Sequence, residues 1–187
     1  MFRVEEYRSF DPDKRKVKDL YIDSFPKNER WAFPMLVRAS KKDDIDLLKI
    51  YDDDTFAGFS FVIKDDELSL IYYLAIEPSC QDSGYGSSTL QYLLNNNPNH
   101  FAVVLETTHG LFEDIDTRIK RKAFFMKNGF KDTGCYYKDS GGQYDILGTS
   151  QHFGPEKYRA LIKKFTWWTN SFEVGEYARR QRKTEGQ

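Results

Sequence analysis

One change of pattern between residues 45 and 108 restricts the fold more than any other feature of the chain. Three runs rich in β-branched and aromatic residues, Ile45–Tyr51, Thr55–Ile63 and Leu68–Ile76, are separated only by the acidic turns Asp52-Asp53-Asp54 and Lys64-Asp65-Asp66. Connections this short cannot carry a helix, so the three runs read as an antiparallel meander. After Ile76 the pattern breaks. Glu77-Pro78 ends the run, a glycine-containing loop follows, and Ser87–Leu94 sets Leu90, Leu93 and Leu94 on one helical stripe. Asn95-Asn96-Asn97-Pro98 stops that helix. Phe101–Thr108 follows, and its continuous Ala102-Val103-Val104-Leu105 reads as a strand buried on both faces. Strand, helix and strand in that order make a crossover, and with it a parallel pair.

The flanks extend this plan. Phe2 to Tyr7 reads as a first strand. Asp11-Pro12 supplies an N-cap and a first-turn proline to a helix carrying Val17, Leu20, Tyr21 and Ser24, which Phe25-Pro26 closes. A short second helix begins near Pro34 with Met35, Leu36 and Val37. Downstream, a helix spans Thr117 to Asn128 with Gly129 as its stop. Two last strands, Lys131–Tyr137 and Gln143–Leu147, flank Gly141-Gly142, and Pro155 opens an amphipathic helix bearing Tyr158, Leu161, Ile162, Phe165 and Trp168. The 187 residues suit a single domain over 1–174, with 175–187 as a polar tail expected to fray. The expected class is α/β (α+β): a mixed, mostly antiparallel sheet of about seven strands around a central parallel pair, flanked by helices.

Composition narrows the partners. With 28 Lys+Arg against 29 Asp+Glu, the formal charge is -1, so no global field draws the chain to nucleic acid or an anionic membrane. Apolar runs fall short of the roughly 20 residues that span a bilayer. The charged start, Met1-Phe2-Arg3-Val4-Glu5-Glu6, lacks a signal-peptide core. Cys80 and Cys135 offer neither a disulfide framework nor metal-ligand spacing. The expectation is a cytoplasmic protein with no metal, nucleic-acid or membrane partner.

The loop between Ile76 and the following helix carries the chemistry. In Gln81-Asp82-Ser83-Gly84-Tyr85-Gly86-Ser87, two glycines just before a helix let the backbone turn tightly and expose successive N–H groups. Together with the helix dipole they form a seat for a phosphate. Taken alone, Gly-x-Gly reads equally well as an ordinary helix-entry turn.

Gln81-Asp82-Ser83-Gly84-Tyr85-Gly86 resembles the Gln/Arg-x-x-Gly-x-Gly/Ala element of the GNAT (GCN5-related) N-acetyltransferases, in the strand–loop–helix setting where that family carries it. Phe124-Phe125-Met126-Lys127-Asn128-Gly129-Phe130 resembles the family's second helix motif, Phe-Tyr-x-Lys-x-Gly-Phe. The resemblance runs from about Leu68 to Phe130. It implies a splayed central strand pair and acetyl-CoA as cosubstrate, with its pyrophosphate on the backbone of Gln81 to Ser87. The pantetheine arm would lie along Leu74, Ala75 and Ile76, with Phe125 and Lys127 of the helix motif beside it. A backbone N–H near Ile76 would polarise the thioester carbonyl.

The resemblance implies transfer of an acetyl group to a primary amine. An amine with a pKa near ~10.4 is protonated at neutral pH, so a base must act. Glu106, at the end of the central strand, is the candidate; its other reading is a carboxylate facing solvent or paired with a cation. His109 competes with it. Phe125 stands where many relatives carry a proton-donating tyrosine, and Arg118 where many carry asparagine, so a tyrosine-acid mechanism does not transfer directly. Tyr85, Tyr136 and Tyr137 are the substitutes the sequence offers. Cys80 reads as a small packed side chain rather than as a nucleophile. For the acceptor, Phe25-Pro26-Lys27-Asn28-Glu29-Arg30-Trp31 offers Glu29 to hold a cationic amine and Trp31 to cover an apolar body, or else it is a solvated turn. Lys120, Arg121, Lys122 and Lys127 read as phosphate contacts or as a charged helix face. Phe165, Trp167 and Trp168 exceed a narrow core stripe; they read by default as packing on the sheet, with a homodimer contact as the alternative. The rival readings are a non-catalytic acyl-CoA sensor, an enzyme for a protein N-terminus or a longer acyl group, and a non-CoA phosphate-ligand binder of another α/β fold, which unsplayed central strands would favour.

Overall fold

The computed structural model describes residues 1–8, 10–166 and 171–177. In chain order the elements are β1 (Phe2–Glu6), α1 (Lys14–Ser24), α2 (Phe33–Ala39), β2 (Ile45–Asp52), β3 (Thr55–Lys64), β4 (Leu68–Ile76), a 3-10 turn at Pro78–Cys80, α3 (Tyr85–Asn96), β5 (His100–Glu106), α4 (Ile115–Lys127), β6 (Lys131–Asp139), β7 (Gly142–Gly148), α5 (Pro155–Phe165) and β8 (Glu173–Glu176). Among the described residues, the strands form one eight-stranded sheet in the order β1-β2-β3-β4-β5-β7-β6-β8. Within it β4 and β5 pair in parallel, and every other neighbouring pair is antiparallel.

Strand alternation divides the apolar side chains between two cores. On one face Leu47, Phe59, Phe61, Ile63 and Ile146 pack against Val17, Leu20 and Tyr21 of α1, Phe33 and Leu36 of α2, and Leu161, Ile162 and Phe165 of α5. On the other, Val62, Ile71, Val103 and Leu105 meet Leu90 and Leu93 of α3 and Phe125 of α4. The result is a sheet sandwiched between two helical layers, with β4 and β5 at its middle.

Three details depart from the sequence reading. An eighth strand, β8, pairs antiparallel with β6, so Gly175 and Glu176 are held in the sheet and the ordered domain continues past Val174. The remaining tail, including Arg179, Arg180, Arg182 and Lys183, lies outside the described residues, as do Trp167 and Trp168. Asp11 does not cap α1. That helix begins at Lys14, and the Asp11 carboxylate accepts the backbone N–H of Arg8 and of Asp13 while pairing with Lys49 Nζ at 2.9 Å. Both members of this pair are buried, and a buried ammonium needs a carboxylate more than a helix end needs a cap. Phe165 packs on the sheet as its default reading had it, against Phe61 and Tyr72 with centroids 5.1 and 5.2 Å away, so it offers no dimer face.

Candidate active site

The site begins with an irregularity in β4. Phe61 of β3 stands opposite Tyr73 and Val62 opposite Ile71, which leaves Tyr72 as an extra residue on β4. Such a bulge bends its strand and spoils strict alternation. Here it puts two consecutive side chains, Tyr72 and Tyr73, on the same face, with ring centroids 4.9 Å apart. The parallel pairing of β4 with β5 ends at Ile71 opposite Val103, just before the bulge, although β4 runs on to Ile76 and β5 to Glu106. β5 stays with β7 through Glu106, opposite Tyr144. The two central strands therefore part, and a cleft of about 740 Å³ opens between them. The splay implied by the sequence resemblance is present.

At one end the cleft is walled by the turn into α3. Gly84 precedes this helix at φ +87°, and Asp82 also adopts a left-handed conformation, at φ +59°. The N–H groups of the first helical turn have no intrahelical acceptor and the dipole is positive there, which suits an anion. Gln81, Asp82, Gly84, Tyr85, Gly86 and Ser87 line this end; Ser83 does not, its hydroxyl donating instead to the Gln81 carbonyl at 3.4 Å. Gly86 lies so close to α4 that a Cβ there would sit 3.0 Å from the Phe124 ring. Leu74, Ala75 and Ile76 contribute the edge of β4 that β5 has left, and Phe125, Lys120 and Lys127 contribute α4. An anion seat, an open strand edge and an apolar wall in series fit the pyrophosphate and amide-bearing arm of CoA.

At the other end the wall is aromatic and acidic. Glu29 reaches in from the loop between α1 and α2 and accepts a hydrogen bond from Tyr144 Oη at 3.1 Å. Burial, and then the charge of Glu106, push its carboxyl above the usual glutamate range. Tyr73 donates to the Glu29 carbonyl at 2.7 Å, and Tyr137 donates to Asp139 at 2.7 Å. Burial raises the Tyr73, Tyr137 and Tyr144 phenols, and pushes Tyr72 up to about 12, so all four remain protonated at neutral pH.

Glu106 lies on the cleft wall, as expected from its strand position, but both its oxygens carry guanidinium partners. Arg121 bonds Oε2, and Arg118 Nη2 lies 3.6 Å from Oε1. This arrangement matches the paired reading of the residue. Arg118 is also tied to Asp114 at 2.8 Å and to the Thr107 carbonyl at 3.3 Å.

Other expectations redistribute. Trp31 does not line the cleft: it donates its indole N–H to Tyr72 Oη at 3.3 Å and stacks edge-on against Phe165, and Tyr72 carries the aromatic surface instead. Lys122 turns away to Asp145 and Asp132, where the buried Asp145 carboxylate requires a cation. His109 packs on Tyr177, and Tyr136 bonds Glu173 on the far side of β6. Cys80 borders the loop end of the cleft. The sequence reading missed Tyr72, Tyr73, Tyr144 and Asp139. A signal existed in the alternation Cys135, Tyr137, Asp139 and Tyr144, Ile146, which puts Tyr137, Asp139 and Tyr144 on one face once the hairpin register is known.

Sheet order, the bulge and the parted parallel pair define a GNAT fold. The solved structures agree. A protein from Bacteroides thetaiotaomicron assigned to the GNAT acetyltransferases superposes with a TM-score of 0.69 at 22% identity, over 87% of this chain and 94% of that one. An aminoglycoside 6'-N-acetyltransferase complexed with coenzyme A gives 0.61 at 15%, over 82% and 99%. The ribosomal-protein-S18-alanine N-acetyltransferase from Escherichia coli gives 0.55 at 13%, over 79% and 91%. No family model matches the sequence, and no curated protein matches it either. Among the described residues, no helix is long and apolar enough to cross a membrane, and no three His, Cys, Asp or Glu residues gather as a metal site.

Proposed function

We propose that this chain is an acetyl-CoA-dependent N-acetyltransferase that acts in the cytoplasm on a primary amine of a small molecule or peptide, by direct attack in a ternary complex. One observation carries the reading: the parted strands join an anion-binding helix start to a chamber walled by carboxylates and phenols. Acetyl-CoA supplies an activated thioester. Gly84 to Ser87 would hold its pyrophosphate, and the free edge of Leu74–Ile76 would pair with its amide-bearing arm, leaving the acyl group beside Tyr72 and Tyr73. Acidic side chains at the far end favour a cationic acceptor. The basis in known proteins is that an aminoglycoside 6'-N-acetyltransferase and a ribosomal-protein-S18-alanine N-acetyltransferase share the fold.

The test is thiol release from acetyl-CoA against polyamines, aminoglycosides, amino acids and peptide N-termini, alongside calorimetric titration with CoA. Turnover with one of these classes supports the reading; absence of CoA binding defeats it. A second reading, a non-catalytic acyl-CoA sensor, rests on Phe125, which is buried against Phe124 and Phe130 and has no proton to give. Binding of CoA without thiol release from any amine selects the sensor.

A further inference from the structure

Resting on the acyl-transfer reading, we infer that Glu29, rather than Glu106, takes the proton from the acceptor's ammonium, with Tyr144 as the residue that positions its carboxylate. Placement comes first. The loop bearing Glu29 is pinned along its length: Arg30 donates to the Ile22 carbonyl at 2.9 Å, Tyr73 to the Glu29 carbonyl at 2.7 Å, and Tyr21 to the Trp31 carbonyl at 3.1 Å. Glu29 borders the cleft and also a side opening shared with Asp23, Glu106, Asp114 and Arg121, so a proton taken up there has a way out to solvent.

Charge state comes second. Among the described residues, no cation lies within salt-bridge distance of Glu29, whereas Glu106 is held by two guanidiniums. The groups that act on Glu29 come from four strands and helices: Glu106 on β5, Arg121 on α4, Asp139 on β6 and Tyr144 on β7. Tyr144 takes Oε1 and leaves Oε2 to a substrate. A half-buried carboxylate with no cation bonded to it attracts an ammonium, and a raised proton affinity suits it to remove a proton at neutral pH.

The balance is as follows. The ammonium gives one proton to Glu29, and the freed lone pair forms the bond from nitrogen to the thioester carbonyl carbon. The carbon–sulfur bond breaks with its electrons on sulfur. The second proton lost by nitrogen ends on that sulfur as free thiol, and Glu29 returns its own to solvent.

Two readouts test this on the full chain. With glutamate carboxyl carbons labelled with ¹³C, Glu29→Gln identifies the resonance in a pH titration. Glu29 should titrate above the exposed glutamates, Tyr144→Phe should raise its midpoint further, and Glu106→Gln should lower it. A midpoint at or below the exposed glutamates, or one indifferent to both substitutions, overturns the proposal. In thiol release with the fastest amine of the panel, Glu29→Gln should lower kcat about 100-fold and abolish the acid limb of the pH profile, while Glu106→Gln retains that limb. Wild-type kcat and an intact limb in Glu29→Gln overturn the proton step and leave acyl transfer standing. CoA binding with the expected Glu29 titration but no thiol release from any amine overturns acyl transfer, and the proton step with it.

Discussion

At the α3 end of the cleft, the wall is built from backbone and from side chains that are missing; at the Glu29 end, it is built from side chains that are present. The first is built chiefly from one continuous stretch, Leu74 to Ser87, backed by α4, and depends on Gly84, Gly86 and the edge of β4. The second gathers Glu29, Tyr72, Tyr137, Asp139 and Tyr144 from well-separated stretches, and the Glu29–Tyr144 hydrogen bond alone bridges 115 positions. The contrast separates two requirements. A cosubstrate bound through its common parts needs shape and N–H groups, while a particular acceptor needs charge and hydroxyls placed by the tertiary fold.

The sharpest way to break this contrast is to add a side chain where the first end needs none. Gly58 of β3 backs that end opposite Ile76, and a Cβ on it would sit 2.3 Å from the Ala75 carbonyl oxygen, so Gly58→Val should cost about 3 kcal/mol in urea unfolding through overpacking. Gly86→Val is the milder form. It should keep the fold by circular dichroism but weaken CoA binding about 30-fold by calorimetry, because Phe124 blocks one side and the anion seat the other.

The two carboxylates at the acceptor end should then respond with opposite signs. Glu106→Gln removes the carboxylate partner of Arg121 and one of the partners of Arg118, and should lower the thermal midpoint by about 3 °C. Glu29 has a folded-state pKa above its unfolded one, so its contribution favours folding in acid and is lost as pH rises through the folded value. Glu29→Gln should therefore raise the midpoint by about 2 °C at neutral pH, a gain that vanishes near pH 4. A loss at neutral pH would mean that Glu29 has a stabilising partner in solution. The smallest effect concerns Asp82, a carboxylate beside the start of α3, where the proposed pyrophosphate would lie. Asp82→Asn, which still tolerates the left-handed backbone, should tighten CoA binding about threefold at low salt and less at high salt.

How much could be read from the chain follows the same division. Strands β2, β3 and β4 fell within a residue of their expected limits, because alternation and short turns are local signals. The turn from β4 into α3 was legible for the same reason, although α3 starts at Tyr85 rather than Ser87 because Gly84, in its left-handed conformation, lets the helix begin directly after it. β8 was not legible: Glu173-Val174-Gly175-Glu176 has no alternation of its own and exists as a strand through pairing with β6. Tyr72 and Tyr73 gave no sign of sharing a face, since a bulge appears only when two strands are set in register. Glu106 was found by position, but its partners lie on a helix whose rotation the sequence leaves open.

The extra residue at Tyr72 has one more consequence. A strand edge left open in the middle of a sheet ought to zip shut, since each hydrogen bond regained lowers the energy. One surplus tooth on β4 puts the remaining halves of the zipper out of step, so β4 and β5 cannot close the seam by simply continuing their ladder. The empty seam thus persists as part of the folded molecule, and a guest carrying amides of its own can complete the fabric there.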